Sequence, residues 1–239
     1  GYSRSARMPV TDAITQFFTA TFELKLISMV IAVVIGVALG TLSAVKRDNP
    51  VDHITRIMAL SGVSLPIFWL ALMLQYIFYY AIPILPATGQ YSDKYILTGV
   101  PDYTGFLLVD SLLAGNLPLF GDAIMHIILP AITLSFGTIA IITRIMRSSM
   151  LEVLNQDFVK TARAKGLSER VVIKKHARRN ALIPTTTVVG LSFGGLLGGA
   201  VLTESIFSWP GLGRWSSTAI LSNDWASILG FVLLFSIIY

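Results

Sequence analysis

Four stretches of this chain run for 20 residues or more without an Asp, Glu, Lys or Arg, and they limit its possible folds more than any other feature. Leu26–Val45 has 20 residues, Ile57–Ile82 has 26, Ala123–Thr143 has 21 and Ala181–Thr203 has 23. A helix rises about 1.5 Å per residue, so about 20 apolar residues cross a hydrocarbon core of about 30 Å. A fifth run, Ala226–Tyr239, has 14 residues, or about 21 Å of helix, and reads as an incomplete span. A soluble fold would have to cover all of this with a chain that is only 13% charged, against about 25% in an ordinary globular domain. The expected fold is therefore all-α: a polytopic transmembrane helical bundle, residues 1–239 forming one domain with five visible spans. Pro66 and Pro130 lie inside two of the runs. Membrane helices tolerate interior prolines where neighbours satisfy the freed backbone groups, so each run is expected to be one helix. The opening "GYSRSARMPV" shows no signal peptide, and both it and the closing "GFVLLFSIIY" read as cut ends of a longer polypeptide.

The charges between the runs predict the topology. The net charge of +5 argues for orientation in a membrane rather than for nucleic acid. Residues 144–180 carry ten Lys and Arg against Glu152, Asp157 and Glu169, and Lys46, Arg47 and Arg56 flank the first connection. Connection 83–122 carries one Lys and four Asp, and connection 204–225 carries Arg214 against Glu204 and Asp224. Basic connections stay in the cytoplasm, so 144–180 is expected inside, with 83–122, 204–225 and the first 25 residues outside. Within the long outer connection, Asp102–Ala114 reads as a short helix at the membrane surface or as an ordered loop.

Several chemistries find no support. The chain has no Cys, and His53, His126 and His176 lack metal-ligand spacing. No Gly-Lys pair occurs, so a phosphate-binding loop is absent. The runs hold no Asp, Glu, Lys or Arg, which argues against a proton-coupled carrier, while a sodium site built from carbonyls stays open. Energy for uphill transport is expected to come from another polypeptide. Gly190, Ser192 and Gly194 match G-x-S-x-G, which suggests a serine nucleophile with His126 as base. That motif needs a strand–turn–helix, and depth along the spans separates the pair by about 8 Å. Three classes remain: a transport subunit without catalysis, an ATP-independent channel or carrier, and, least supported, an intramembrane serine hydrolase. The same span places Gly190, Gly194 and Gly198 on one helical stripe, with Gly195 and Gly199 beside it. Such stripes suit close helix packing, within the chain or against another subunit lining a pathway.

The basic connection holds the most informative local pattern. "DFVKTARAK" predicts a short helix opened by Asp157 as its N-cap and stopped at Gly166, since glycine enters the left-handed region cheaply. Ser168 caps a second helix, with Glu169 in its first turn, running to Asn180. Attraction to anionic headgroups accounts for the charges. It does not account for Ala162, Ala164 and Gly166, small residues that suit insertion of the corner into a groove on another protein.

"TARAKG" followed by "IKKHARRNALIP" resembles the cytoplasmic loop signature of ATP-binding-cassette importer permeases, in the dipeptide, oligopeptide and nickel branch. Thr161 stands where the superfamily pattern has Glu, as is usual in that branch. Ala162 and Arg163 occupy the two Ala positions, Gly166 the Gly, and Leu182 and Pro184 lie near the end with one residue between them. "GVALGTLSAVKRD", "HIILPAITLSFG" and "TESIFSWPGLGRW" resemble other parts of the same branch in the same order. The resemblance implies a six-span permease whose first span lies outside this chain. It implies partners: cytoplasmic ATPase subunits, a second homologous permease subunit and an extracytoplasmic solute-binding protein, all in a cell-membrane assembly. The docking loop it implies includes Phe158, Thr161, Ala162, Arg163, Ala164, Lys165, Gly166, Leu167, His176, Asn180 and Pro184. No cofactor is implied for this chain itself, ATP being used by its partners. Peptides or a related solute are the implied cargo. The connection 83–122 is longer than expected for this branch and reads either as extra contact with a binding protein or as a loop expansion without function.

Overall fold

The structure is a computed structural model that describes residues 1–238, apart from the side chains of residues 98, 195–199 and 238. A two-residue antiparallel ladder, β1 Tyr2–Ser3 with β2 Met8–Pro9, precedes the helices. Helix α1 spans Val10–Val45, α2 Pro50–Ser64 and α3 Ile67–Gln75, with a π-helical extension over Tyr76–Ala81. Two short helices follow, α4 Lys94–Thr98 and α5 Leu107–Leu113, and then the long α6 Leu117–Leu154. Helix α7 is Asp157–Ala164, and α8 Glu169–Val171 continues through a π-helical stretch, Val172–Ala177, into α9 Arg178–Ile206. Helices α10 Leu212–Leu221 and α11 Trp225–Ile238 end the described chain. Among the described residues, α1 and α6 are each long and apolar enough to cross a membrane, and a third span results if α2 and α3 count as one broken element.

The apolar run Ile57–Ile82 does not form the single helix expected. Leu65 and Pro66 are both extended, with ψ of 132° and 131°, and α3 starts afresh at Ile67. Proline cannot donate a backbone hydrogen bond, and its ring pushes the preceding residue out of the helical region. Pro130 and Pro184, by contrast, lie inside continuous helices. The basic connection 144–180 also differs from a loop. Its first residues belong to α6, and no break separates Glu169 from Ile206. Only residues 155–168 lie between these two long helices, and α7 fills half of that gap.

The chain forms two compact units. The first comprises Gly1–Ser28, Pro66–Leu134 and Gly194–Tyr239, the second Met29–Leu65 and Ser135–Phe193. In the first, Leu119 and Ala123 of α6 pack with Tyr95 and Leu107 of the connection 83–122. That connection is ordered. The Asp110 carboxylate accepts the backbone N–H groups of Tyr103, Thr104 and Gly105, and Glu23 accepts that of Leu108. Helix α5 thus covers only part of the stretch Asp102–Ala114, and a side-chain-capped turn makes up its beginning.

Two further carboxylates organise this unit. Glu204 is fully buried at the end of α9 and accepts the Thr21 hydroxyl at 2.7 Å and the N–H groups of Gly213 and Arg214 at 2.7 and 3.1 Å. The segment "PGLG" wraps this acid because Gly211 and Gly213 leave room beside it. Asp224 accepts from the Ser3, Ser5 and Ser227 hydroxyls at 3.1, 3.0 and 2.6 Å. Burial works against this carboxylate, but hydrogen bonds from Ser227 and Ser5 outweigh it and hold the carboxyl well below the usual carboxylate range.

In the second unit, α1 and α6 approach closely through Gly36 and Gly40, a G-x-x-x-G pair. A Cβ at Gly36 would lie 2.7 Å from Ile142, and one at Gly40 2.7 Å from Met146 and from the Thr143 carbonyl. Packing of this kind holds helices together where lipid removes the hydrophobic drive. Gly40→Leu is expected to force the two helices apart at a cost of about 2–3 kcal/mol, read as a lowered melting temperature of the detergent-solubilised protein. Gly194→Leu is expected to leave that temperature unchanged, since a Cβ at Gly194 meets no described atom within 4 Å.

Candidate docking site

Residues 155–171 form the corner between α6 and α8. Helix α7 opens after Gln156, which has extended geometry, so Asp157 is the first helical residue rather than the cap. Its charge still favours the N-terminal end of the helix dipole. The helix is strongly two-faced. Val159 and Ala162, three residues apart, are buried against Met146, Met150 and Val153 of α6 and Val172, Ala177 and Ala181 of the following helix. Phe158, Thr161 and Ala164 lie on exposed positions.

The turn out of α7 is a Schellman motif. Gly166 has φ of +77°. Its N–H bonds the Arg163 carbonyl at 2.9 Å, and the Leu167 N–H reaches back to the Ala162 carbonyl at 3.3 Å. A Cβ at Gly166 would meet nothing within 4 Å, so backbone conformation alone demands the glycine here. Arg163 crosses the turn to pair with Glu169 at 2.6 Å. Ser168 stands at the N-cap of α8 without a side-chain capping bond.

The corner thus presents three partly exposed apolar side chains, Phe158 at 39%, Leu167 at 40% and Val171 at 37%. Around them stand the exposed Lys160, Arg163, Lys165 and Arg170. An apolar core with a basic surround is the anatomy of a protein contact. The small residues divide. Ala164 and Gly166 are on the surface, whereas Ala162 faces the chain's own core and owes its size to packing between α7 and its neighbours. His176, Asn180 and Pro184 lie further along the continuous helix. The Asn180 side chain donates to the His176 carbonyl at 2.8 Å, a bond within that helix rather than part of the corner.

The same unit holds a buried ion pair that sequence reading did not single out. Asp52 is 0% exposed. Arg147 of α6 grips it with two bonds of 2.8 and 2.7 Å, and the Ser43 hydroxyl and the Asp48 N–H complete its shell. The first basic connection and α6 are thereby tied into one unit. Asp52 was legible only as an acid in a basic stretch, with nothing in the sequence to mark its partner 95 positions away.

The glycine stripe of α9 shows a different distribution. Cβ atoms at Gly190 and Gly194 would meet no described atom within 4 Å. Gly195, Gly198 and Gly199 lie outside the residues whose side chains are described. Ser192 sits inside the continuous α9, without the sharp strand–turn–helix that a nucleophile elbow needs. The His126 ring is engaged with Asp122, its Nδ1 being 2.8 Å from the Asp122 carbonyl and 3.4 Å from Oδ2. In the first unit, a cleft of about 770 Å³ opens between the start of α1 and residues 90–105, with Asp12, Gln90, Asp102 and Tyr103 in its lining.

Residues 36–239 match the family described as "Binding-protein-dependent transport system inner membrane component". The chain is 45% identical, over its whole length and 70% of the relative's, to the probable D,D-dipeptide transport system permease protein of Escherichia coli K12. It is 46% identical to that organism's dipeptide transport system permease protein, over 98% of the chain and 69% of the relative. It is 44% identical to the di/tripeptide transport system permease protein of Pseudomonas aeruginosa UCBPP-PA14, again over 98% and 69%.

Proposed function

We propose that this chain, which belongs to the family of binding-protein-dependent transport system inner membrane components, carries di- and tripeptides inward and draws its energy from a separate ATPase seated on the corner 155–171. It is an all-α integral membrane protein and a permease subunit of a binding-protein-dependent importer. The observation that carries the coupling reading is the corner itself. A rigid Schellman turn exposes Phe158, Leu167 and Val171 within a basic surround, while Val159 and Ala162 lock the same turn onto α6 and α9. A push on that surface moves two long helices, because no flexible linker absorbs it.

The remaining partners follow from the same family. A second permease subunit pairs with this one, and the open Gly190 and Gly194 positions of α9 favour such a contact. A solute-binding protein meets the side carrying connections 83–122 and 204–225, where the ordered loop and its cleft offer a surface. The basic connections then lie in the cytoplasm. The chain itself needs no cofactor and catalyses no reaction. Di- and tripeptides are the proposed cargo because the three relatives compared above are named for D,D-dipeptide, dipeptide and di/tripeptide transport.

The experiment is uptake of a labelled dipeptide into proteoliposomes. With the full-length protein, its companion permease, the ATPase subunits, the solute-binding protein and ATP, uptake is expected. Uptake by the permease subunits alone would establish an ATP-independent carrier instead. Ser192→Ala is expected to leave uptake within about twofold, the change tolerated away from energetic hot spots. A hydrolytic activity abolished by that variant would favour the hydrolase reading.

A further inference from the structure

The groove between α2 and α6 in the second unit holds a cavity of about 470 Å³ that the transport reading does not use. Its walls divide by chemistry. Arg56 of α2 and Arg144 of α6 stand at one end, and neither makes an ion pair or hydrogen bond among the described residues. Arg147 beside them is already held by Asp52. Along α2, Arg56 is followed one turn later by Leu60 and another turn later by Val63, all lining the cavity. Leu60 is 69% and Val63 61% exposed. On α6 the order is reversed, Ala140 coming before Thr143 and Arg144. Both helices therefore place a cation just outside an apolar run, Arg56 before Ile57 and Arg144 after Thr143, with apolar side chains within the run beside it.

We propose that this cavity binds an anionic phospholipid from the leaflet on the basic side of the membrane. Its phosphate lies between Arg56 and Arg144, and an acyl chain follows Leu60 and Val63. Basic pockets between membrane helices recognise anionic headgroups in this way, and guanidinium groups suit phosphate oxygens. A hydrophilic peptide would leave the apolar wall uncovered. The proposal rests on the placement of the chain in a membrane and not on what it transports.

The test is native mass spectrometry of the full-length permease assembly, titrated separately with phosphatidylglycerol and phosphatidylethanolamine. Phosphatidylglycerol is expected to stay bound and phosphatidylethanolamine to be lost. A double variant, Arg56→Gln with Arg144→Gln, is expected to weaken retention about tenfold or more, two charge-assisted contacts being removed. Lys46→Gln with Arg47→Gln makes the same charge change outside the cavity and is expected to leave retention within about twofold. Arg56→Gln and Arg144→Gln made singly are each expected to weaken it about threefold or more, one charge-assisted contact being lost. Either single variant decides the matter if the double variant fails to assemble. Equal loss in both double variants would reduce the effect to general basic attraction and overturn the proposal. So would unchanged retention in both single variants, or displacement of the lipid by millimolar dialanine, which would make the cavity a solute site.

Discussion

A Phe158→Asp, Leu167→Asp double variant is expected to lose ATP-driven uptake by about 100-fold or more while inserting and folding normally. Both side chains are partly exposed and face away from the cluster that holds α7 in place, so the fold does not depend on them. Apolar anchors at a protein contact each contribute about 2 kcal/mol or more, and two such losses exceed a hundredfold in affinity. Introduced carboxylates add a desolvation cost if the partner's groove closes over them. The measurements are dipeptide uptake in proteoliposomes and recovery of ATPase subunits with the tagged permease. Uptake within twofold of the parent protein would remove the corner from the coupling path. Ala162→Glu makes an instructive contrast. It buries a charge between α7 and α6, so it is expected to lower the yield of folded protein rather than to spare the fold and block docking.

Asp52→Ala is expected to destabilise the second unit by about 3 kcal/mol. The substitution strands the Arg147 guanidinium beside a buried site, and breaking one partner of a buried pair costs far more than the pair contributes. Removing both charges is a different matter. Asp52→Leu combined with Arg147→Leu is expected to recover most of the loss, because no uncompensated charge remains. Melting temperature of the solubilised protein and protease sensitivity of residues 46–49 report both effects. Equal destabilisation by the single and double variants would show that the residues act through packing and not through their charges.

How far the sequence announced these features depends on the distance over which each is encoded. The turn at Gly166 was legible because a Schellman motif is local: a glycine, a helix-forming stretch before it and an apolar residue after it suffice. The break at Pro66 is equally local in cause, yet a membrane helix can absorb a proline, as α6 and α9 do at Pro130 and Pro184. Composition did not distinguish these outcomes. Glycine packing was read only along Gly190–Gly199, although Gly36 and Gly40 carry the same four-residue spacing. The tertiary structure closes Gly36 and Gly40 against α6, while Cβ atoms at Gly190 and Gly194 would meet no described atom within 4 Å.

The amino-acid sequence by itself determined the class of protein, because the length and apolarity of a membrane span are properties of contiguous residues and need no partner to be read. It also determined the corner's helix–glycine–helix design for the same reason. Tertiary structure alone decided which small residues face outward and which inward, placing Ala164 on the surface and Ala162 in the core. It alone joined Asp52 to Arg147 and Thr21 to Glu204 across 95 and 183 positions. Pairings of that kind depend on which helix faces meet, and this is settled by side-chain volumes summed over the whole unit rather than by any local pattern.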